Sequence, residues 1–210
     1  MIAIIDYDAG NIKSVEKAIL SLGEEVVITR DADVILAADG VILPGVGAFG
    51  DAMEKLQAYQ LVDVIHKCVE QNTPFLGICL GLQLLFESSE ESPGVKGLHV
   101  LDGKILRIPE STGLKIPHIG WNDLSYPNKS RLFEGISEHS YVYFVHSYYL
   151  KAEDEGIVAA ATEYGTHIHA SVEKGNVFAC QFHPEKSSEV GLKILQNFIN
   201  ITKKDTCGGH

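Results

Sequence analysis

Apolar residues in the first half of the chain come in short continuous runs. Such runs lie at Ile2–Ile5, at Val26–Thr29 and at residues 41–43 and 73–78. Continuous apolar runs of this length are typical of parallel strands that are covered on both faces of a sheet. The pattern therefore predicts four buried strands in this half.

The segments between these runs have apolar positions at helical spacing. Residues 12–22 carry them three and four apart, which predicts a helix with Asn11 as its N-cap and Gly23 as its stop. Further helical patterns cover about 51–70 and 80–87. Strands that alternate with helices indicate an α/β fold with a parallel sheet.

From about residue 97 the pattern changes to closely spaced β-like segments. Gly165 and residues 174–176 separate two of them, so hairpin connections and antiparallel strands are expected here. A final helix is predicted from about Ser188. The predicted β segments are residues 99–108, 141–149, 157–162, 167–173 and 177–182.

Nothing in the sequence marks a boundary between the two halves. The 210 residues are 45% hydrophobic, and no repeat or low-complexity linker interrupts them. We predict an α/β fold: a single domain with a central mixed, mostly parallel sheet flanked by helices, with antiparallel strands in the second half. The domain is expected to cover residues 1–201, and residues 202–210, which are mostly polar and small, are expected to form a frayed tail.

The charge and cysteine content exclude several classes of protein. With 17 basic and 28 acidic residues the net charge is −11, whereas a nucleic-acid-binding surface needs clustered Lys and Arg. No apolar run approaches the roughly 18 residues that span a bilayer, and the N-terminus lacks the features of a signal peptide. Four cysteines without a CxxC spacing argue against a disulfide framework and a structural zinc site. We expect a cytoplasmic protein without nucleic-acid or membrane partners, metal or cofactor.

The sharpest local motif is Gly77-Ile78-Cys79-Leu80-Gly81, between a predicted strand and a predicted helix. This strand-turn-helix form is that of a nucleophile elbow, in which flanking glycines are needed because a Cβ would clash. The following helix N-terminus favours the thiolate form of Cys79. The alternative is a buried structural cysteine between two glycines that allow close helix packing.

A thiolate nucleophile needs a base, and the sequence has nine histidines. His183 ends a predicted strand and is followed by Pro184 and Glu185, so a carboxylate lies two residues away to orient the imidazole. The alternative is a surface turn after a strand. His118 and His146 remain open as binding residues, and the alternating His167 and His169 are better explained as a solvated strand face than as a metal pair.

The segment Pro44-Gly45-Val46-Gly47-Ala48-Phe49-Gly50 formally matches GxGxxG. As a dinucleotide site it is weak, because it follows the third predicted strand and not the first. Acyl transfer from Cys79 needs N–H donors aimed at the developing oxyanion, and the natural pair is the N–H of Leu80 plus one from this loop. The alternative is a glycine-rich turn with a packing role only.

These three motifs, read as PGVGAFG, GICLGLQ and HPEKS, resemble class I (triad) glutamine amidotransferases. Three further segments, DYDAGN at 6–11, PHIGWN at 117–122 and YFVHSY at 143–148, resemble more narrowly the glutaminase subunits of imidazole glycerol phosphate synthases. The resemblance runs from about residue 1 to residue 201. It implies the flavodoxin-like α/β fold of that class.

The resemblance also implies residue roles. Cys79 would attack the carboxamide of glutamine, His183 would protonate the departing ammonia, and Glu185 would orient His183. The remaining implied residues are Gly45, Val46, Gly47 and Leu80 for the oxyanion hole, and Gln83, Glu91, Ser147 and Tyr148 for the substrate. The positions that face the partner subunit in this family correspond here to Asn11, His118, Trp121, Asn122 and Lys186.

The implied partner is a (β/α)8-barrel synthase subunit, with which the chain would form a heterodimer. It would use the ammonia to make imidazole glycerol phosphate and an aminoimidazole carboxamide ribonucleotide in histidine biosynthesis. The chain departs from the family pattern at Asp8, where Gly is usual, and at Leu82, where Met is more common. Asp is a tolerable substitute if that position needs a positive φ.

Four hypotheses stay open on the sequence alone. The first is the partner-coupled glutaminase. The second is another triad amidotransferase, such as one serving vitamin B6 synthesis, or a stand-alone γ-glutamyl hydrolase. The third is a serine-hydrolase-like fold with a Cys nucleophile, although that class usually places its acid before the His. The fourth is an inactive scaffold, which the complete set of Cys79, His183 and Glu185 disfavours.

Overall fold

The structure is a computed structural model that describes residues 1–207. The helices in this part of the chain are α1 Ile12–Ser21, α2 Ala32–Leu36, α3 Phe49–Ala58, α4 Leu61–Glu70, α5 Leu80–Leu84 and α6 Ser188–Cys207. The strands are β1 Ile2–Ile5, β2 Val26–Thr29, β3 Gly40–Leu43, β4 Phe75–Ile78, β5 Ser88–Ser89, β6 Gly103–Arg107, β7 His118–Asp123, β8 Tyr141–His146, β9 Tyr148–Ala152, β10 Val158–Glu163, β11 His167–Lys174 and β12 Val177–Cys180.

A seven-stranded sheet in the order β10-β11-β12-β4-β3-β1-β2 forms the centre of the molecule. The five strands from β12 to β2 are parallel, and β10, β11 and β12 pair antiparallel. The predicted mixed, mostly parallel sheet in one α/β domain is confirmed. Two smaller sheets, β5-β6-β9 and β7-β8, accompany it.

Both faces of the central sheet are buried, as the apolar runs predicted. On β1, Ile2 and Ile4 belong to one buried apolar cluster, and Ala3 and Ile5 belong to the other. Successive side chains of a strand point to opposite faces, so a continuous apolar run supplies two cores at once. This burial holds the strands in register and makes the carboxyl edge of the sheet a rigid platform.

Several predicted elements differ from the observed ones. The helix predicted over 51–70 is two helices, because Gln60 between them has a left-handed φ of 57°. The strand predicted over 141–149 is interrupted at Ser147, between β8 and β9. Helix α2 and strands β5 and β7 were not predicted. Helix α2 is short, and its N-cap is Asp31, whose side chain accepts hydrogen bonds from the N–H groups of the first turn.

The ends of two helices also need correction. Asn11 does precede α1, but it has a φ of 71° and its side chain makes no capping hydrogen bond within the described residues. Gly23, the predicted stop, has the expected positive φ. Helix α6 continues through Cys207, beyond the predicted domain end at residue 201. Residues 208–210 of the predicted frayed tail lie outside the described residues.

No helix within residues 1–207 is long and apolar enough to cross a membrane. The described His, Cys, Asp and Glu side chains form no group of three or more that could hold a metal ion.

Candidate active site

Three chain segments meet at the carboxyl edge of the central sheet. β3, β4 and β12 are adjacent parallel strands, with Leu43 level with Gly77 and Ile78 level with Cys180. Each strand is followed by one of the predicted motifs. Because parallel strands all end at the same edge, the glycine loop, the cysteine elbow and the histidine segment lie side by side.

Cys79 occupies a strained turn between β4 and α5. Its φ of 55° and ψ of −109° lie outside the regions that a side-chain-bearing residue prefers. Its N–H donates to the Cys180 carbonyl at 2.8 Å, which ties the turn to β12. A Cβ on Gly81 would stand 1.8 Å from the Leu43 carbonyl oxygen, and one on Gly77 would stand 2.7 Å from the Gly81 carbonyl oxygen. The elbow has the predicted form, and both glycines are sterically required.

His183 and Glu185 form a buried pair beside the elbow. His183 Nδ1 lies 2.8 Å from Glu185 Oε1, and their side chains are 1% and 0% exposed. Asn11 donates a second hydrogen bond to the same carboxylate oxygen. His183 Nε2 is buried and has no hydrogen-bond partner among the described residues. Glu185 thus holds one ring nitrogen and leaves the other available for a reacting group.

The electrostatics of the pair favour a protonated imidazole. Burial by itself would lower the pKa of His183, but interactions with the Cys79 and Glu185 side chains outweigh it and raise the pKa above its usual value. A histidine next to a cysteine can act as its base. Cys68 and Cys180 are different, because burial raises the pKa of both thiols, that of Cys68 to about 11. Of these three thiols, only Cys79 has a histidine placed to activate it.

A cavity of about 390 Å³ opens next to the Cys79 side chain. Its size suits a small polar metabolite rather than a macromolecule. All four predicted substrate residues line it, and so do three of the four predicted oxyanion residues, the exception being Gly45. The full lining consists of Val46, Gly47, Cys79, Leu80, Gln83, Glu91, Pro117, Val145, His146, Ser147 and Tyr148.

Glu91 has a second contact that helps to shape the cavity. Its Oε2 accepts a hydrogen bond from the Phe49 N–H at 2.8 Å, at the start of α3. A carboxylate is favoured at a helix N-terminus. Glu91 therefore joins the cavity wall to the helix that follows the glycine loop.

Gln181 is a site residue that the sequence analysis did not single out. It is fully buried, and its Nε2 lies 3.7 Å from Cys79 Sγ. Its Oε1 accepts a hydrogen bond from Gln83 Nε2 at 3.0 Å. The available signal was its place two residues before His183, directly after β12 and at the same sheet edge as the elbow.

The predicted oxyanion donors are only partly in place. The N–H of Leu80 donates to the Gly45 carbonyl at 3.2 Å, so this conformation does not present it to the cavity. Gly45 lies close to Leu80 and Tyr7, and the Tyr7 hydroxyl donates to the Pro44 carbonyl at 2.7 Å, which anchors the base of the loop. The Leu80 N–H is therefore not available to a substrate in this structure, and the assignment of Gly45, Val46, Gly47 and Leu80 to an oxyanion hole stays a prediction.

His118 and His146 lie together on the antiparallel pair β7-β8. His118 Nδ1 is 3.0 Å from His146 Nε2, and the His118 ring is stacked between Phe144 and Tyr164. His118 is only 3% exposed, so its side chain offers little surface to a partner, and its place at an interface stays a prediction. His146, which the sequence left open, lines the cavity.

The other four predicted interface residues are distributed around the same end of the molecule. Trp121 is 51% exposed on β7, and Lys186 is exposed in the turn after His183. Asn122 is partly buried and donates to the Glu163 carbonyl at 3.0 Å, and Asn11 binds Glu185. Asn11 is thus also a neighbour of the His183–Glu185 pair, which its place in the sequence did not indicate.

Asp8, the departure from the family pattern, has a left-handed φ of 62°. Its carboxylate accepts hydrogen bonds from Tyr59 and Arg30, which hold its pKa below the usual value. A positive φ explains why Gly is usual at this position and why Asp, which tolerates that region, can replace it.

Comparison with known proteins gives consistent matches over nearly the whole chain. Residues 3–201 match the model of the glutamine amidotransferase class-I family. The chain is 50% identical over 209 residues to a Moorella thermoacetica protein named imidazole glycerol phosphate synthase subunit HisH, covering 100% of this chain and 99% of that one. An Aquifex aeolicus protein of the same name is 50% identical over 204 residues, covering 97% and 98%.

Solved structures agree on the fold. A crystal structure of glutamine amidotransferase matches with a TM-score of 0.75 at 21% identity, covering 97% of this chain and 100% of that chain. The glutaminase domain of Trypanosoma brucei CTPS matches with a TM-score of 0.66 at 18% identity, covering 95% and 93%. The predicted fold type is confirmed, and the family match extends from β1 into α6. The chain therefore belongs to the class-I glutamine amidotransferase family.

Proposed function

We propose that this chain hydrolyses glutamine to glutamate and ammonia through a cysteinyl thioester and delivers the ammonia to a partner synthase subunit. The observation that carries the proposal is the arrangement of Cys79, which lines the cavity, with His183 and Glu185. A strained cysteine stands beside a histidine whose Nδ1 is held by a buried carboxylate 2.8 Å away. This is the arrangement of a nucleophile, a base and an orienting acid.

The chemistry runs in two steps at Cys79. The thiolate attacks the side-chain carboxamide carbon of glutamine, the C–N bond breaks, and the His183 imidazolium gives its proton to the leaving nitrogen, which departs as ammonia. Water then attacks the thioester while His183 takes a proton from it. The C–S bond breaks, glutamate leaves, and the thiolate and imidazolium are restored. Glu185 keeps the imidazole in the orientation that both transfers need.

An oxyanion develops on the substrate carbonyl in both steps, and Leu80 N–H is the natural donor for it. That N–H is held by the Gly45 carbonyl in this structure, so we propose that the Gly45 peptide turns away when the reaction proceeds. The exposed Val46 and Gly47, with a φ of 105° at Gly47, give the loop little packing to resist this rotation. Gln83, Glu91, Ser147 and Tyr148 line the cavity where the amino-acid end of the substrate is expected.

The proposed partner is the synthase subunit of imidazole glycerol phosphate synthase, a (β/α)8 barrel that makes imidazole glycerol phosphate and an aminoimidazole carboxamide ribonucleotide in histidine biosynthesis. Relatives that are half identical over their full length carry the name of a subunit of that enzyme, which supports this partner. An exposed apolar group on β7 and β8, made of Ile119, Trp121 and Tyr141, provides a surface for a heterodimer. A cytoplasmic location is part of the proposal.

The other hypotheses have less support. A vitamin B6 amidotransferase or a stand-alone γ-glutamyl hydrolase would also use the elbow and the His183–Glu185 pair. The relatives reported above are instead named as subunits of imidazole glycerol phosphate synthase. The serine-hydrolase-like alternative does not fit the family assignment. An inactive scaffold would not need a strained Cys79 next to an activated His183, and labelling of Cys79 by a glutamine-analogue electrophile would exclude it.

The test is made on the complex with the barrel subunit, by comparing Cys79→Ala with the unchanged chain. We expect the variant to lose glutamine-dependent product formation by at least about a thousandfold, because the nucleophile is gone, while added ammonium salts still support synthesis. Cys68→Ala, in a buried thiol of α4, is the matched control and should keep both activities. Loss of both activities by Cys79→Ala in an intact complex would contradict the proposal.

The partner is tested separately by glutaminase assays with and without the barrel subunit and the acceptor nucleotide. A rise in rate on their addition is expected. High turnover by the isolated chain that neither addition changes would instead support the stand-alone hydrolase.

A further inference from the structure

We propose that Gln181 is a positioning residue for the nucleophile: its side-chain amide donates to Cys79 Sγ, stabilises the thiolate and holds the sulfur toward His183. The inference rests on the proposed function, in which Cys79 is the nucleophile. Gln181 is fully buried, and its Nε2 lies 3.7 Å from Cys79 Sγ. Sulfur is a large, weak acceptor, so this distance is compatible with a hydrogen bond, and the negative thiolate strengthens it.

The orientation of the Gln181 amide follows from its neighbours. The Tyr148 carbonyl accepts hydrogen bonds from His146 Nδ1 at 2.8 Å and from Gln83 Nε2 at 3.1 Å. A carbonyl can only accept, so the NH2 group of Gln83 must be the side that faces Tyr148. The same NH2 group reaches Gln181 at 3.0 Å, which requires an oxygen there.

With its oxygen facing Gln83, Gln181 must present its NH2 group to Cys79. The opposite orientation would set two NH2 groups against each other and would place a carbonyl oxygen against the thiolate. The Tyr148 backbone carbonyl can only accept a hydrogen bond. It therefore determines which atom of each side-chain amide donates, from Gln83 through Gln181 to Cys79. Gln181 is therefore a donor to the sulfur, from a fully buried position.

The donor and the base come from the same segment, which follows β12. The chain runs from Cys180, whose carbonyl binds the Cys79 N–H, through Gln181 to His183. One short stretch thus holds the elbow backbone, the sulfur and the base. Because thiolate stability sets cysteine reactivity, loss of the Gln181 donor should raise the pH at which Cys79 becomes reactive.

The experiment measures the pH dependence of Cys79 alkylation by iodoacetamide on the full chain, followed on the Cys79 peptide by mass spectrometry. Gln181→Met removes the donor at similar volume, and Gln181→Glu replaces it with a carboxylate. We expect the reactivity midpoint to rise by about one pH unit in Gln181→Met, with about tenfold slower alkylation below the midpoint, and to rise further in Gln181→Glu. Gln57→Met, at an exposed position of α3, is the control and should leave the midpoint unchanged.

Folding of each variant is checked by circular dichroism and thermal unfolding. Gln181→Met leaves a buried Gln83 donor unpaired, so Gln83→Met/Gln181→Met, which removes both partners, is measured as well. If Gln181→Met does not fold, the isosteric Gln181→Glu decides. An unchanged midpoint in the folded variants would overturn the inference.

This outcome is separable from that of the proposed function. Alkylation needs neither glutamine nor a partner, so it reads the state of Cys79 even if glutamine is not the substrate. If Gln181 only shaped the cavity, its variants would raise KM while the alkylation midpoint stayed in place, which would also overturn the inference. A shifted midpoint with a lower kcat is the expected result.

Discussion

At the scale of single residues, the paired histidines on β7 and β8 show how burial assigns a protonation state. His146 Nδ1 lies 2.8 Å from the Tyr148 carbonyl, which can only accept, so that nitrogen carries the proton. His146 Nε2 must then accept from His118 Nδ1. Burial lowers the pKa of His118 to about 4 and that of His146 to about 3. Both rings are therefore neutral in the folded protein at neutral pH.

This pair predicts a loss of stability in mild acid. Below pH 6.5 the unfolded chain takes up protons at these histidines while the folded chain does not, so the free energy of unfolding falls as the pH falls. The free energy of unfolding should fall between pH 6.5 and pH 5 in both proteins. In His118→Phe, which keeps the stacking on Phe144 and Tyr164, we expect this fall to be smaller by about 1.5 kcal/mol than in the unchanged chain. Urea unfolding at the two pH values measures this.

His66→Gln, which replaces a histidine on α4, is the control for that comparison. Acidic groups that titrate in the same range contribute equally to all three proteins, so only the difference between them is interpreted. His183 contributes with the opposite sign, because its raised pKa stabilises the folded state until the pH rises through it, above this window. Equal losses in His118→Phe and the unchanged chain would contradict the assignment.

At the scale of elements, the turn between β4 and α5 depends on two glycines for a steric reason. A Cβ on Gly81 would meet the Leu43 carbonyl oxygen, which belongs to the paired backbone of β3 and cannot move aside. The cost of such overpacking is typically about 1–3 kcal/mol, and more where backbone is hit. The positive φ of Cys79 is thus maintained by the close approach of α5 to the sheet.

We expect Gly81→Ala to lower the free energy of unfolding by about 3 kcal/mol and to reduce glutaminase activity, because the elbow must shift. Gly23→Ala is the matched control. Gly23 has a φ of 78°, but a Cβ at this position would meet no heavy atom within 4 Å beyond its chain neighbours, so only a backbone penalty of about 1 kcal/mol is expected. Urea unfolding of the two variants checks this, and equal costs would show that steric contact does not determine the turn.

At the scale of the whole molecule, the exposed apolar group on β7 and β8 is the surface proposed for docking. The elbow, the His183–Glu185 pair and the cavity draw on residues from the loop after β3 to the turn after β12, a stretch that covers most of the chain. Trp121, 51% exposed, lies with Ile119 and Tyr141 on β7-β8, whose buried side carries the His118–His146 pair. A large exposed aromatic surrounded by apolar neighbours is typical of the centre of an interface.

Trp121→Ala is expected to weaken binding of the barrel subunit by about 2 kcal/mol, or about thirtyfold in Kd, with little effect on the stability of the isolated chain. Leu20→Ala, which removes an equally exposed apolar side chain on α1, is the control and should bind normally. Titration calorimetry with the barrel subunit measures both. Equal affinities for the two variants would place the interface elsewhere.

The net charge of −11 bears on this scale as well. It disfavours a nucleic-acid ligand, because an extended phosphate backbone needs a clustered basic surface. A phosphorylated nucleotide would instead bind the proposed partner.

The sequence by itself determined the α/β class, the strands β1 to β4, the elbow and the histidine segment. These features have local causes: continuous apolar runs predict strands buried on both faces, and glycines flanking a cysteine predict a tight turn. Adjacent parallel strands then bring the motifs together, because all of them end at one edge. Breaks at Gln60 and Ser147 escaped prediction, since the apolar pattern continues through both positions.

Only the tertiary structure decided which atoms face each other across that edge. The decisive contacts join segments that are far apart in the chain, and the hydrophobic periodicity of the sequence does not predict such contacts. They are those of Gln181 with Gln83, Asn11 with Glu185, His118 with His146, and Leu80 N–H with Gly45. A hydrogen bond depends on distances of about 3 Å and on the direction of donor and acceptor. Those are set by how strands and loops pack, so the residues of the site were readable from the sequence, while its polarity and protonation were not.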